Sequence, residues 1–220
     1  MTRVKICGIK SPEEARMVIN YGGWAMGEVF ADSPRKIMPE DAARINRVIG
    51  QQIIKIGVFV NEKLDSLKYI MRSCSLDMVQ LHGEESPEYA AEIGIPVIKS
   101  FSLDGPVDPA YIRQWQVYAY IFDTSSSIRR GGTGKAFNWQ WLEGFRDTDR
   151  LVLAGGLNQG NVEQAINMVR PMAVDVSSGV EFPAGGKSAE KIDRFMETVK
   201  RADAMLDSLW KADHKHCEHL

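Results

Sequence analysis

The stretch LVLAGGLNQGNVEQAINMVRPMAVDVSSGVE, residues Leu151 to Glu181, decides how this chain is read. It opens on a short apolar run that stops at Gly155-Gly156. Val162, Ala165, Ile166 and Val169 follow at helical spacing, and a second apolar run, Met172 to Val176, stops at Ser177-Ser178-Gly179. That order is strand, glycine turn, helix, strand, small-residue turn. Both turns lie at the C-terminal ends of strands, where a parallel α/β protein binds its ligands. Glycine lets a ligand approach the backbone closely, and N–H groups at a helix start suit an anion. The alternative is two ordinary turns rich in glycine; the phosphate site is favoured.

Working outward, the same alternation fills the chain. Val4 to Cys7 is strand-like and leads to Ser11-Pro12-Glu13-Glu14, where Ser11 caps a helix and Glu14 answers from its third position. Ala15, Val18 and Ile19 form that helix's buried stripe. Trp24 to Phe30 is the second run, followed by ADSPRKIMP and a helix from about Pro39 to Ile49. IIKIGVFV is the third, with Asn61 as cap of a helix carrying Leu64, Leu67 and Ile70 or Met71. LDMVQLHG is the fourth run, before a short helix at Ser86-Pro87, and IPVIKSF the fifth. The sixth, around Val117 to Phe122, ends in Asp123-Thr124. The loop SSSIRRGGTGK separates it from a short helix near Trp139 to Phe145. A last helix, from about Ser188 to Leu209, buries Ile192, Phe195, Met196, Val199 and Leu206.

Eight strands alternating with eight helices, at about 28 residues a unit, predict a compact (β/α)8 barrel. The near-continuous apolar runs fit strands covered on both faces. An open doubly wound sheet would usually carry GxGxxG after its first strand, and here that turn is Cys-Gly-Ile-Lys. The barrel domain spans residues 1–209, with 210–220 as a solvated tail.

Composition bounds the partners. The chain has 220 residues, 44% hydrophobic and 25% charged, with a net charge of −2 and a pI of about 6.1. Nothing in that balance favours nucleic acid or an anionic membrane, so phosphate affinity must come from local geometry. The N-terminus MTRVKICGIK lacks the apolar stretch of a signal peptide, and no run approaches the ~20 residues of a membrane span. Cys7, Cys74 and Cys217 are odd in number and far apart, which points to a reducing cytoplasm. A monomer and a homodimer are equally compatible with these features.

In a barrel the reacting groups sit at the C-terminal strand ends. Those positions hold Cys7, Arg35 in the loop after strand two, Gln80 and His82 on strand four, Lys99 on strand five, Asp123 on strand six, and Asp175 and Ser177 on strand eight. Singly, most have a bland alternative: Cys7 as a small hydrophobe, His82 as a hydrogen-bonded structural residue, Arg35 as a solvated charge. A Schiff-base role for Lys99 would need a desolvated site. Asp123 stands apart, because a carboxylate closing the run YAYIF before a glycine loop has little motive beyond capping or catalysis. There is no G-x-S-x-G elbow for a serine hydrolase. His82 has no partner at metal-ligand spacing, and the tail residues His214, His216, Cys217 and His219 read as a solvated end rather than a metal site.

Taken together, VKICGIK, SPR, GVFVN, VQLHG, FDT, GGTGKAFNW, LAGGLN and VDVSSGVE resemble the phosphoribosylanthranilate isomerase family of tryptophan biosynthesis, from about Arg3 to Phe195. The resemblance implies a (β/α)8 barrel with no metal or organic cofactor. It implies the Amadori rearrangement of N-(5′-phosphoribosyl)anthranilate, a small phosphosugar–anthranilate substrate, to a 1-deoxyribulose 5-phosphate derivative. By motif, Cys7 is the general base, Asp123 the general acid, and Arg35 the holder of the anthranilate carboxylate. Gly155, Gly156, Ser178 and Gly179 fall on the phosphate turns, and Gln80, His82 and Asp175 on the substrate cavity. Glu28 stands where the family usually carries Phe or Leu; it either faces the site or lies under the helices. Asn138 replaces a usual Asp and is expected to touch only a helix start, and Met38-Pro39 lacks a polar cap. A histidine-pathway sugar-phosphate isomerase would use aspartates for both proton transfers, which Cys7 argues against. A silent phosphate binder is disfavoured by the presence of both Cys7 and Asp123.

Overall fold

The computed structural model describes residues 1–124 and 138–215. Among them, eight parallel strands close into a barrel in chain order: β1 (Arg3–Cys7), β2 (Ala25–Val29), β3 (Ile54–Phe59), β4 (Met78–Leu81), β5 (Val97–Leu103), β6 (Ala119–Thr124), β7 (Leu151–Leu153) and β8 (Ala173–Val176). Closure is made by β8 returning to β1, with Arg3 opposite Ala173 and Ile6 opposite Val176. Seven α-helices accompany them: α1 (Pro12–Asn20), α2 (Pro39–Ile49), α3 (Leu64–Ser73), α4 (Pro87–Ala91), α5 (Pro109–Ile112), α6 (Val162–Val169) and α7 (Ala189–Lys215). No helix among the described residues is long and apolar enough to cross a membrane.

Side chains alternate across each strand, so the barrel has two separate apolar layers. Inward-facing Ala25, Ile56, Met78, Ile98, Ile121, Val152 and Ala173 fill the lumen, where small residues on β2 and β8 make room for larger ones opposite. Outward-facing residues such as Ile6, Met26, Val79, Phe122, Leu153 and Val174 pack under the helices. The stripe Ile192, Phe195, Met196 and Val199 seats α7 on that outer layer. Each such side chain, fully buried, is worth roughly 1.5–3 kcal/mol.

Several local expectations are corrected. The short helix expected near Trp139 to Phe145 is a 3-10 helix, Trp139–Leu142, among the described residues. Asn138 caps that turn by accepting from the Gln140 N–H. Ser11 does cap α1, accepting from the Glu14 N–H, but Glu14 does not reach back to it. The Glu14 carboxylate instead accepts from the N–H groups of Lys10 and Lys187, tying α1 to the loop after β8. Asn61 does not cap α3, which starts at Leu64 without a side-chain cap. It sits at φ +51° and accepts from the Glu84 N–H. Met38 leaves α2 uncapped, as expected. Helix α7 runs on to Lys215, so the tail boundary placed at 210 falls inside a helix; His216, Cys217 and His219 lie outside the described residues, as does the loop SSSIRRGGTGK.

Glu28 lies under the helices. It faces outward from β2, fully buried, and its Oε2 accepts from Asn46 Nδ2 on α2 at 2.9 Å. Burial pushes its carboxyl up to about 7, with Asn46 and Lys55 pulling the other way.

Candidate active site

One cavity of about 440 Å³ opens at the C-terminal ends of the strands. Its wall holds Cys7 from β1, Gln80 and His82 from β4 and the turn after it, Asp123 from β6, and Asp175 from β8. Arg35 comes from the loop after β2, Gly155 and Gly156 from the turn after β7, and Ser177 and Ser178 from the turn after β8. The strand parity explains the selection. Cys7, Gln80, Asp123 and Asp175 all occupy inward positions near their strand ends, so their side chains converge.

Lys99 is not part of this group. It faces outward from β5, donating to Glu85 Oε2 at 2.8 Å and the Gly83 carbonyl at 2.7 Å, with its ammonium over the Trp115 ring. Gly179 does not line the cavity either. It lies behind Ser178, where a Cβ would run into the Leu157 carbonyl oxygen, so glycine there lets the turns after β7 and β8 pack on one another.

The two turns form the cradle. Gly155 and Gly156 take φ +86° and +65°, which favours glycine. Asn158 and Asn161 side-chain amides both donate to the Gly156 carbonyl at 3.1 Å and hold the loop. The N–H groups of Gly155, Gly156, Ser178 and Gly179 have no acceptor among the described residues, an arrangement suited to an anion.

Around Cys7 and Asp123, charge is paired. Lys5, two residues before Cys7 on the same strand face, is fully buried and donates to Asp175 Oδ2 at 2.9 Å. Asp175 Oδ1 is buried without a hydrogen-bond partner among the described residues. Burial raises the Cys7 thiol pKa, and Lys5 is the main group opposing that rise. Gln80 Nε2 donates to Ser100 Oγ at 3.0 Å and approaches His82 Nδ1 at 3.2 Å. The other ring nitrogen, Nε2, lies 3.9 Å from Asp123 Oδ2. Burial and then Lys5 lower the His82 pKa, which favours the neutral ring.

Arg35 is engaged rather than waiting free. Its Nε and Nη2 both donate to Glu181 at 2.8 Å. Glu181 also accepts from Lys187 Nζ at 2.7 Å, and the two cations outweigh its burial to hold its carboxyl at about 2. Sequence reading missed Lys5, Lys187 and Glu181. Lys5 had a usable signal, its two-residue spacing from Cys7. Lys187, in a loop, had none.

The eight-stranded parallel barrel, with a thiol and a carboxylate across one cavity and an unpaired N–H cradle at its rim, defines a barrel enzyme for small phosphorylated substrates. The chain belongs to the N-(5′-phosphoribosyl)anthranilate isomerase family, whose model matches residues 4–198. It is 52% identical to the N-(5′-phosphoribosyl)anthranilate isomerase of Syntrophomonas wolfei, over 91% of this chain and 98% of that one. The Thermus thermophilus phosphoribosyl anthranilate isomerase crystal structure is 36% identical with a TM-score of 0.83, covering 91% and 99% of the two chains. A further structure of the family, in complex with reduced 1-(o-carboxyphenylamino)-1-deoxyribulose 5-phosphate, is 39% identical with a TM-score of 0.79 and the same coverage.

Proposed function

We propose that this isomerase converts N-(5′-phosphoribosyl)anthranilate to 1-(o-carboxyphenylamino)-1-deoxyribulose 5-phosphate in tryptophan biosynthesis, with Asp123 as general acid and Cys7 as general base. The observation that carries the assignment is the placement of these two side chains on one cavity, below a cradle of backbone N–H groups. Phosphate at Gly155, Gly156 and Ser178 leaves the ribose over the strand ends and the anthranilate toward Arg35.

Asp123 gives a proton to the furanose oxygen as the C1′–O bond breaks, and the aniline nitrogen's lone pair forms the iminium. Cys7 takes the proton from C2′, giving an enolamine, which becomes the ketone by losing its hydroxyl proton and gaining one at C1′. Two protons given balance two taken, so the rearrangement needs no co-reactant. His82 stands beside Asp123, its Nε2 3.9 Å from Oδ2, and as a neutral ring adds no charge there. Gln80 approaches the imidazole, and Asp175 Oδ1, without a partner among the described residues, is an acceptor for a sugar hydroxyl. The setting is the cytoplasm, with the chain working as a monomer or a homodimer.

The test is anthranilate fluorescence when the purified chain meets freshly formed phosphoribosylanthranilate. A first-order decay of substrate fluorescence, faster than the uncatalysed background and dependent on enzyme, is expected. A folded chain that leaves the background decay unchanged overturns the proposal.

A further inference from the structure

We infer that Lys5 is the positioning residue of the catalytic thiol: fixed by Asp175, its ammonium supplies the positive charge against which Cys7 gives up its proton. The inference rests on reading Cys7 as the base, and extends it to the group that makes a buried thiol usable. Lys5 and Cys7 share the inward face of β1, and the Lys5 side chain has no solvent exposure. A buried ammonium is costly unless paired, and a single carboxylate bond leaves donors over. Those donors are near the sulfur. Gly27, opposite Cys7 on β2, has no side chain, and a Cβ placed there would stand 2.8 Å from Cys7 Sγ and 3.2 Å from Lys5 Nζ. The thiol and the ammonium thus converge on the space that this glycine leaves.

Other charged groups face Cys7 less directly. Lys187 Nζ binds the Cys7 carbonyl at 2.5 Å, but Glu181 claims it at 2.7 Å. Arg35 packs against Gly8 and is held by the same Glu181. Those two cations share one carboxylate, and both lie at the backbone side of Cys7. Across the cavity stand neutral His82 and Asp123, while Glu28 on β2 faces the opposite way. From β8, Asp175 is the anion that opposes thiolate formation, and Lys5 lies between the two. Burial raises the thiol's pKa and Lys5 is the largest influence lowering it, ahead of Lys187.

The experiment follows carboxamidomethylation of Cys7 by iodoacetamide against pH, reading the Cys7 peptide by mass spectrometry so that Cys74 and Cys217 do not contribute. Removing an opposite charge at this range shifts a pKa by roughly 1–3 units. Lys5→Met is therefore expected to move the alkylation midpoint up by about that much, while Lys5→Arg stays near the parent. Asp175→Asn, which frees the ammonium for the sulfur, moves the midpoint down. In Lys5→Met, kcat/KM at pH 7 falls in step with the alkylation rate. If alkylation follows Lys5 but turnover does not, the inference about Lys5 holds and Cys7 is not the base. A folded Lys5→Met with an unmoved midpoint overturns the inference. If Lys5→Met does not fold, a midpoint that fails to drop in Asp175→Asn overturns it instead.

Discussion

The two faces of the barrel strands use the same residue types for opposite ends. Lys5 and Lys99 are both buried lysines on strands, each paired with a carboxylate, at 2.9 Å and 2.8 Å. Lys5 faces the lumen beside a thiol; Lys99 faces the helices, locked between Glu85, the Gly83 carbonyl and the Trp115 ring. The acids divide likewise. Asp123 opens onto the cavity beside His82, whereas Glu28 is enclosed with Asn46 and the Cys74 carbonyl to which that amide also donates. Side-chain period on a strand is two, so one position decides whether a charge does chemistry or fastens a helix. On the inner face Asp123 and Asp175 reach the cavity, whereas Glu28 and Lys99 on the outer face are closed off from it.

The sharpest way to break this contrast is to neutralise one acid on each face. Asp123→Asn keeps the shape but delivers no proton, and general acid catalysis is typically worth ~10²–10⁴-fold. The expected result is a fall in kcat of that size, with product affinity and melting temperature close to the parent. Cys7→Ser should cost a comparable factor, since a hydroxyl is a far weaker acid than a thiol of pKa about 8.5. A folded Asp123→Asn enzyme running within about threefold of the parent, well short of that factor, would remove Asp123 from the mechanism.

Glu28→Gln should do the reverse, changing stability and leaving kcat/KM alone. The carboxyl is raised from 4.5 to about 7 by burial, so the fold prefers it protonated. Its contribution is intact below about pH 4.5 and is lost as pH rises through about 7. Once both folded and unfolded states are ionised the loss is about 3 kcal/mol. The parent's melting temperature should therefore decline between about pH 5 and pH 8, and Glu28→Gln should flatten that slope while keeping a partner for Asn46. A slope unchanged by the substitution would mean that Glu28 ionises in place at little cost.

How much of this was legible in the sequence follows from the same parity. The barrel was readable because apolar runs, helical stripes and their order are local patterns, and the glycine turns mark themselves. Cys7, Asp123, Gln80, His82 and Asp175 were found because they end apolar runs, and the structure brings all of them to one cavity. Lys99 ended a run too, but its odd position in Val97–Leu103 sends it outward, which only a fixed register reveals. The Arg35–Glu181–Lys187 cluster joins residues up to 152 positions apart, and no pairwise spacing signals it. Capping failed as a guide at Asn61, where tertiary contact with the β4 loop outcompeted the local helix start.

Arg35→Ala tests the third kind of position, a charge on a loop above both faces. The guanidinium presents its Nε–Nη2 edge to Glu181 and lines the cavity with the rest of the side chain, while Glu181 itself is not part of the wall. Glu181 thus holds the fork in place, and in the proposed binding role Nη1 would meet the substrate carboxylate. A charged hydrogen bond of this kind contributes about 1.5–3 kcal/mol, so KM should rise roughly 10- to 150-fold, with kcat less affected because the acid and base are untouched. Arg35→Lys should fall between, keeping the charge but losing the planar fork that Glu181 fixes. The fold should survive both changes, because Glu181 keeps Lys187 at 2.7 Å. An unchanged kcat/KM in Arg35→Ala would place the anthranilate end elsewhere in the cavity. A kcat loss as large as that of Asp123→Asn would instead make Arg35 part of the chemistry rather than of binding.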